Sequence, residues 1–348
     1  MNHYSKPPLV FVGNKRNSLN NFKKVLKLME EEGLITKETI FYDVFGGSGL
    51  LSHTLKQLFP NHKVIWNDYD NYLSRLSKAK ECEILRKELL EFIAPLAKYG
   101  EKLSQEARLK VHKFLKEKAN KTYIDWILLS AYLCFSGRNA CDEKSFYKQN
   151  SLWHNINQSQ EIKTKGYLKG VLRVRMDYKA LMNLAYYGSE EELNKISYLV
   201  DEEFKEKLTE ENHSPVTAKG LSLEAVPLNS NANSSGEITS ALQPRNDSSC
   251  NKNAFLILDP PYFNTETFHY EGKKWTLEDF LYIMFFVKKP FITFGSGKSG
   301  IADFMKFSDT YLNLSHLKEC QFLENQTSFR KVLDKREFMF FSKLKTLF

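Results

Sequence analysis

The stretch from Thr39 to Asp68 constrains the fold of this chain more than any other. Thr39-Ile-Phe-Tyr-Asp-Val-Phe is an apolar run of strand length, and Gly46-Gly47-Ser48-Gly49 ends it with a tight turn. Leu50 to Leu58 has helical periodicity, Lys63-Val-Ile-Trp is a second strand-like run, and Asn67-Asp68 closes it. Strand, glycine loop, helix, strand and acid is the order of an open α/β half-sheet. Such a sheet binds ligands beyond the carboxyl ends of its strands.

The glycines let a backbone approach a ligand closely. Their spacing is not Gly-x-Gly-x-x-Gly, and no Gly-Lys-Ser/Thr follows, so neither a dinucleotide pyrophosphate nor a phosphate cradle is favoured. A purely structural turn is the alternative for the loop alone. Asp68 follows the glycines by about 20 residues, where a carboxylate can accept from both hydroxyls of a ribose. Alone it reads equally as a turn residue after a strand. Together, loop and acid suit an adenosine cofactor without a phosphate chain, S-adenosyl-L-methionine.

A second signal lies far downstream. Phe255-Leu-Ile-Leu258 reads as a buried strand, and Asp259-Pro260-Pro261-Tyr262 follows it at once. Two prolines cannot extend a strand, because each lacks an N–H and has a fixed φ. A carboxylate, a stiff loop with free carbonyls and an aromatic ring are thereby held at a strand end. That set suits a planar, amine-bearing ring as substrate, with a rigid surface turn as the alternative.

The rest of the chain is less regular. Leu19 to Glu32 is helical in pattern, Ala79 to Lys118 is a Lys- and Glu-rich helical stretch, and Thr122 to Phe135 is a more apolar helix. Ser136 to Gly170 is polar and aperiodic, which predicts loops and a hairpin. Val171 to Met176, Pro290 to Gly295 and Glu337 to Ser342 read as further strands. Residues 191–252 open with a charged helical piece and become rich in Asn, Ser, Thr and Pro, a composition expected to form a flexible insertion.

Composition sets the outer limits. The chain has 348 residues, 42% of them apolar, with 50 Lys and Arg against 42 Asp and Glu. This permits a real core and a polyanionic partner without demanding the latter. Its 5 cysteines form no Cys-x-x-Cys pair, which argues against a zinc site or disulfide framework and for a reduced, cytoplasmic setting. No metal site is expected. No signal core and no run of about 18 apolar residues is present, so no membrane partner is expected.

These motifs, in this order, resemble the Dam-like adenine-N6 DNA methyltransferases. Phe11-Val12-Gly13-Asn14-Lys15-Arg16 matches the family's opening motif, and Asp43-Val44-Phe45-Gly46-Gly47-Ser48-Gly49 its cofactor motif. Asn67-Asp68 matches its ribose acid, Asp177-Tyr178 its Asp-Phe cofactor pair, and Asp259 to Tyr262 its catalytic motif. Cys134-Phe135-Ser136-Gly137-Arg138 resembles a segment ahead of the DNA-reading region. Phe268-His269-Tyr270 and Trp275 to Phe280 resemble the stretch after the active-site loop. Two departures stand out, Asn14 in place of a glycine and Val44 in place of a proline.

The resemblance implies a Rossmann-like S-adenosylmethionine-dependent α/β sheet with helices on both faces, and an inserted, mainly helical DNA-recognition domain. Residues 1–78 would form the cofactor-binding half, 79–170 the target-recognition region, 171–190 a return strand, 191–252 the insertion and 253–348 the catalytic half. It implies cofactor contacts at Phe11, Lys15, Asp43, Phe45, Gly47, Gly49, Asp68 and Asp177. Lys15 would sit near the cofactor's carboxylate and Asp177 at its adenine edge. The catalytic set would be Asp259, Pro260, Pro261 and Tyr262.

The implied activity is site-specific methylation of adenine N6 in double-stranded DNA, with a cognate restriction endonuclease as a further possible partner. Arg138, Asn139, Lys148 and Asn150 are candidate DNA contacts, since Arg and Asn read base edges and Lys holds phosphate. Arg330, Lys331, Lys335 and Arg336 form a second basic group, either phosphate-binding or solvated. The rival readings are an RNA adenine methyltransferase and a non-catalytic DNA-binding protein that keeps only the fold.

Overall fold

The computed structural model describes residues 4–11, 13–135, 140–156, 161–196, 198–199, 251, 253–261, 275–296, 301–312, 314, 317, 320–326 and 336–342. A short 3-10 turn, Arg16–Ser18, leads into α1 (Leu19–Glu31), whose Leu19, Phe22, Val25, Leu26 and Met29 form one buried face at helical spacing. Then come β1 (Ile40–Asp43), α2 (Leu50–Leu58), β2 (Val64–Asn67) and four helices: α3 (Tyr72–Ser77), α4 (Ala79–Ile93), α5 (Gln105–Ala119) and α6 (Trp126–Leu133). Next are α7 (Glu143–Tyr147), β3 (Leu172–Val174), α8 (Tyr178–Tyr187), α9 (Glu190–Ile196) and β4 (Tyr198–Leu199). The chain resumes with β5 (Ala254–Leu258), α10 (Leu277–Phe286), β6 (Phe291–Ser296), α11 (Ile301–Phe307), β7 (Gln321–Gln326) and β8 (Arg336–Phe341).

The strands form one sheet in the order β4-β3-β2-β1-β5-β6-β8-β7. The pairs from β3 through β2, β1 and β5 to β6 are parallel; β8 is antiparallel to both β6 and β7, and β4 is antiparallel to β3. Central strands buried on both faces explain the near-continuous apolar runs of the sequence. Alternate residues of β5 serve opposite layers. Phe255 and Ile257 join a core with α1 and α2, while Ala254, Leu256 and Leu258 join one with α8 and α10. Helices therefore cover both faces, as the α/β reading requires.

Strand order reverses between β1 and β5, since successive strands run outward from β1 on one side and from β5 on the other. That is the switch point where an open α/β sheet leaves a crevice. Beside the sheet, helices α4 to α7 enclose a separate core around Leu89, Ile93, Val111, Leu115, Leu133 and Phe146.

Three expectations change. The described part of 136–170 contains no hairpin: it holds α7 and one isolated antiparallel bridge, Lys102 to Trp153. Asp142 and Ser145 cap each other's backbone amides, which starts a helix where polarity alone suggested loop. The start of the 191–252 stretch is not linker, because Tyr198 and Leu199 pair with β3 and extend the sheet. Strand β7 was not anticipated, and β8 inserts between it and β6. Residues 200–250, with the Asn- and Ser-rich run, and Arg330, Lys331 and Lys335 lie outside the described residues; Arg336 opens β8.

Candidate active site

A cavity of about 200 Å³ opens beyond the carboxyl ends of β1, β2 and β5. Its wall brings together segments distant in sequence: Phe11 and Gly13 to Lys15, Val44 to Ser48, Asn67 with Tyr69 and Asp70, Asp177 to Lys179, and Asp259 with Pro261. Trp275 and Asp279, from the start of α10, complete it. Four carboxylates and two ammonium groups line the space, a balance that favours a cationic ligand.

Local sequence explains the first wall. Gly47 has φ +46°, and a Cβ there would stand 2.8 Å from the Phe11 ring. The loop therefore needs glycine twice over, for its backbone and for the ring packed on it. Gly49, with φ +73°, caps α2, and a Cβ there would meet Leu168 at 2.7 Å. It is not on the cavity wall; its glycine serves packing behind the loop.

Asp43 is fully buried below that loop, where its Oδ2 accepts from the Ser52 hydroxyl at 2.7 Å. Burial pushes its carboxyl up to about 7; the Ser52 bond opposes this and the nearby Asp259 charge adds to it. Asp43 thus ties β1 to α2 and is absent from the wall.

Asn67, which sequence reasoning treated only as the neighbour of an acid, is the clamp of the site. Its Nδ2 donates to the carbonyls of Val44 and Met176, both at 3.0 Å, and its Oδ1 accepts from the Met176 amide at 3.1 Å. One side chain so joins the exits of β1, β2 and β3.

Asp68 turns the other way. It is fully buried, pairs with Arg173 at 2.8 Å, and accepts from the Tyr72 and Leu73 amides at the start of α3. Burial pushes its carboxyl up to about 6 against the pull of Arg173 and those amides. It does not line the cavity, whereas Asp70, two residues on, does. Nothing in the sequence separates two acids so closely spaced; Arg173, more than a hundred residues away, decides which is turned inward.

On the opposite wall Asp177 caps α8, accepting from the Lys179 amide at 2.8 Å. Next to it Phe45, Tyr178 and Trp275 pack as three rings with centroids 5.3–5.5 Å apart. The Tyr178 hydroxyl donates to Asp279 Oδ1 at 2.9 Å, and Asp279 Oδ2 closes a capping box with Thr276 at the head of α10. This aromatic wall is missed by motif reading, although Trp275 and Tyr178 both sit in segments the motifs mark.

Asp259 emerges directly from β5, with Pro260 buried and Pro261 on the wall. Its Oδ1 is 2.7 Å from Lys15 Nζ, and that ammonium also donates to the Gly13 carbonyl at 3.0 Å. Tyr262, Arg138 and Asn139 lie outside the described residues; Lys148 and Asn150 are exposed just after α7, away from the cavity wall.

Residues 11–170 match the family model of the D12 class N6 adenine-specific DNA methyltransferases. The resemblance to the Dam-like enzymes is thereby established over that segment, which carries the glycine loop and Asn67-Asp68 and stops before Asp259. A protein of Haemophilus influenzae (strain ATCC 51907 / DSM 11121 / KW20 / Rd) that bears the name "Putative methyltransferase" is 33% identical over 169 residues. That stretch is 48% of this chain and 55% of the relative, so the match spans little more than half of that protein's length. Among the described residues no helix is long and apolar enough to cross a membrane.

Proposed function

We propose that this chain methylates the exocyclic amine of adenine in double-stranded DNA at a specific sequence, with S-adenosyl-L-methionine as methyl donor. One observation carries the reading. The strand-end carboxylate Asp259 and Pro261, the second residue of the stiff Pro260-Pro261 turn, line the same cavity as the glycine loop, across the switch point of the sheet.

The cavity suits that cofactor. Its acid-rich wall favours a sulfonium and an ammonium, and the bare Gly47 backbone admits a close neighbour. Phe11, Lys15, Phe45, Gly47, Asp70 and Asp177 would hold it, while Asp43, Gly49 and Asp68 hold the walls in shape. Bound there, it supplies an electrophilic methyl group.

The amine nitrogen of adenine is a poor nucleophile because its lone pair is delocalised into the ring. Asp259 would accept one N–H and the Pro260 carbonyl the other, which favours a more tetrahedral nitrogen. Placement and fixed electrostatics then provide most of the acceleration. The base must first leave the duplex at a cost of a few kcal/mol, and stacking on Tyr262 returns about 1–3 kcal/mol.

Labelled cofactor incubated with unmethylated genomic DNA and, in parallel, with total RNA tests the reading. Label in DNA that maps to adenine N6 by single-molecule sequencing is expected. Label confined to RNA, or found on cytosine, would overturn it.

A further inference from the structure

A stripe of two cations and a histidine on α5 lies outside the cavity. Arg108, His112 and Lys116 recur at every fourth residue and share one side of the helix. None of the three forms an ion pair among the described residues, unlike Lys110, whose Nζ is 2.7 Å from Glu106. The stripe packs against Tyr147 at the end of α7. The His112 ring meets the Tyr147 ring edge-on at 4.9 Å between centroids, and Lys116 Nζ lies 5.2 Å from the Tyr147 centroid.

Polar capacity is left over throughout this cluster. Arg108 Nε, His112 Nε2 and Tyr147 Oη are all buried atoms without a hydrogen-bond partner. Such atoms are costly when unsatisfied, so the cluster is held by packing and charge rather than by its own hydrogen bonds. Burial, and after it the charges of Arg108 and Lys116, push the His112 imidazole below its ordinary value. The Tyr147 hydroxyl is pushed above its ordinary value by burial and, after it, by the charge of Glu143 on α7. Arg108 Nη1 also donates to the Gln149 carbonyl at 3.0 Å, which joins the stripe to the exposed segment carrying Lys148 and Asn150.

We infer that Arg108 and Lys116 each hold a phosphodiester of the duplex backbone beside the α7 segment, with His112 and Tyr147 packed behind them. The inference rests on the proposed action on DNA and adds a contact that motif reading does not reach. Arg presents a planar fork of donors to phosphate oxygens, and Lys a point charge. A backbone contact of this kind fixes position on the duplex without reading sequence.

The test is the salt dependence of duplex affinity, measured by fluorescence anisotropy with a labelled duplex. Each phosphate contact contributes about 0.9 to the slope of log affinity against log salt. Lys116→Gln and Arg108→Gln should each lower the slope by about that amount, with cofactor affinity unchanged. Lys110→Gln removes an equal charge from the same helix, but one already neutralised by Glu106, and should leave the slope unaltered. Unchanged slopes for Arg108→Gln and Lys116→Gln, or an equal fall for Lys110→Gln, would overturn the site while the DNA reading stands. Failure of the unsubstituted chain to bind duplex while it binds cofactor would overturn both.

Discussion

Lys15 Nζ stands 2.7 Å from Asp259 Oδ1, so the turn before α1 and the end of β5 are joined across the cavity mouth by one ion pair. Both side chains are largely buried, at 6% and 16% exposure, so solvent screens the pair weakly. Lys15→Ala takes the buried cation from beside Asp259, and Asp259→Ala leaves an ammonium that keeps the Gly13 carbonyl. The two changes should therefore couple by roughly 1–3 kcal/mol in a double-mutant cycle read by urea unfolding. Asp259→Ala should also abolish methyl transfer and leave cofactor affinity nearly intact. Loss of cofactor affinity instead would move Asp259 from the acceptor role to cofactor binding.

Gly47 offers a sharper test of the cofactor loop. An alanine there adopts the left-handed region at a cost of about 1–2 kcal/mol. It also displaces the Phe11 ring, 2.8 Å from the added carbon. Cofactor affinity of Gly47→Ala, measured by calorimetry, should fall at least about tenfold, equivalent to 1.4 kcal/mol. An unchanged affinity would separate Phe11 and the loop from the cofactor.

Asp68 and Asp70 should behave differently. Asp68→Asn takes the carboxylate from Arg173, which keeps its bond to Asn71 Oδ1 at 3.0 Å, and should lower stability by about 1–3 kcal/mol, read by chemical denaturation. Asp70→Asn should leave stability nearly unchanged and weaken cofactor binding by about tenfold. If a folded Asp68→Asn protein lost cofactor affinity while Asp70→Asn kept it, the ribose contact would return to Asp68.

The contrast between these two acids marks what the sequence could convey. Periodicity placed β1, α2, β2 and β5 to within a residue or two, because buried parallel strands and a glycine turn leave a local pattern. The side of the chain on which Asp68 ends was not local: it depends on Arg173 in β3. The Tyr178 to Asp279 bond and the Phe45, Tyr178 and Trp275 wall likewise join segments about a hundred residues apart. The residues of α5 were visible as a lysine-rich helix, yet only packing against Tyr147 distinguishes Lys116 from the paired Lys110.

Asp43 carries a prediction about pH. Burial holds its carboxyl at about 7 in the folded chain, against an ordinary value of 3.8. Below about 4 both folded and unfolded chains keep the proton, and Asp43 gives no pH dependence. Between about 4 and 7 the unfolded chain has lost it while the folded chain retains it, so stability falls as pH rises, by roughly 1.4 kcal/mol per pH unit at most. Above about 7 both states are ionised and the fall ends. Asp68, raised to about 6, adds the same sign over the lower part of that window. Asp43→Asn removes the first contribution and keeps the second, so its urea midpoint should decline less than the parent's between pH 5 and pH 7, with the largest difference in slope between pH 5 and pH 6. An equal decline in both proteins would mean that Asp43 is ionised in the folded state throughout, with the Ser52 hydroxyl sufficient to hold its charge.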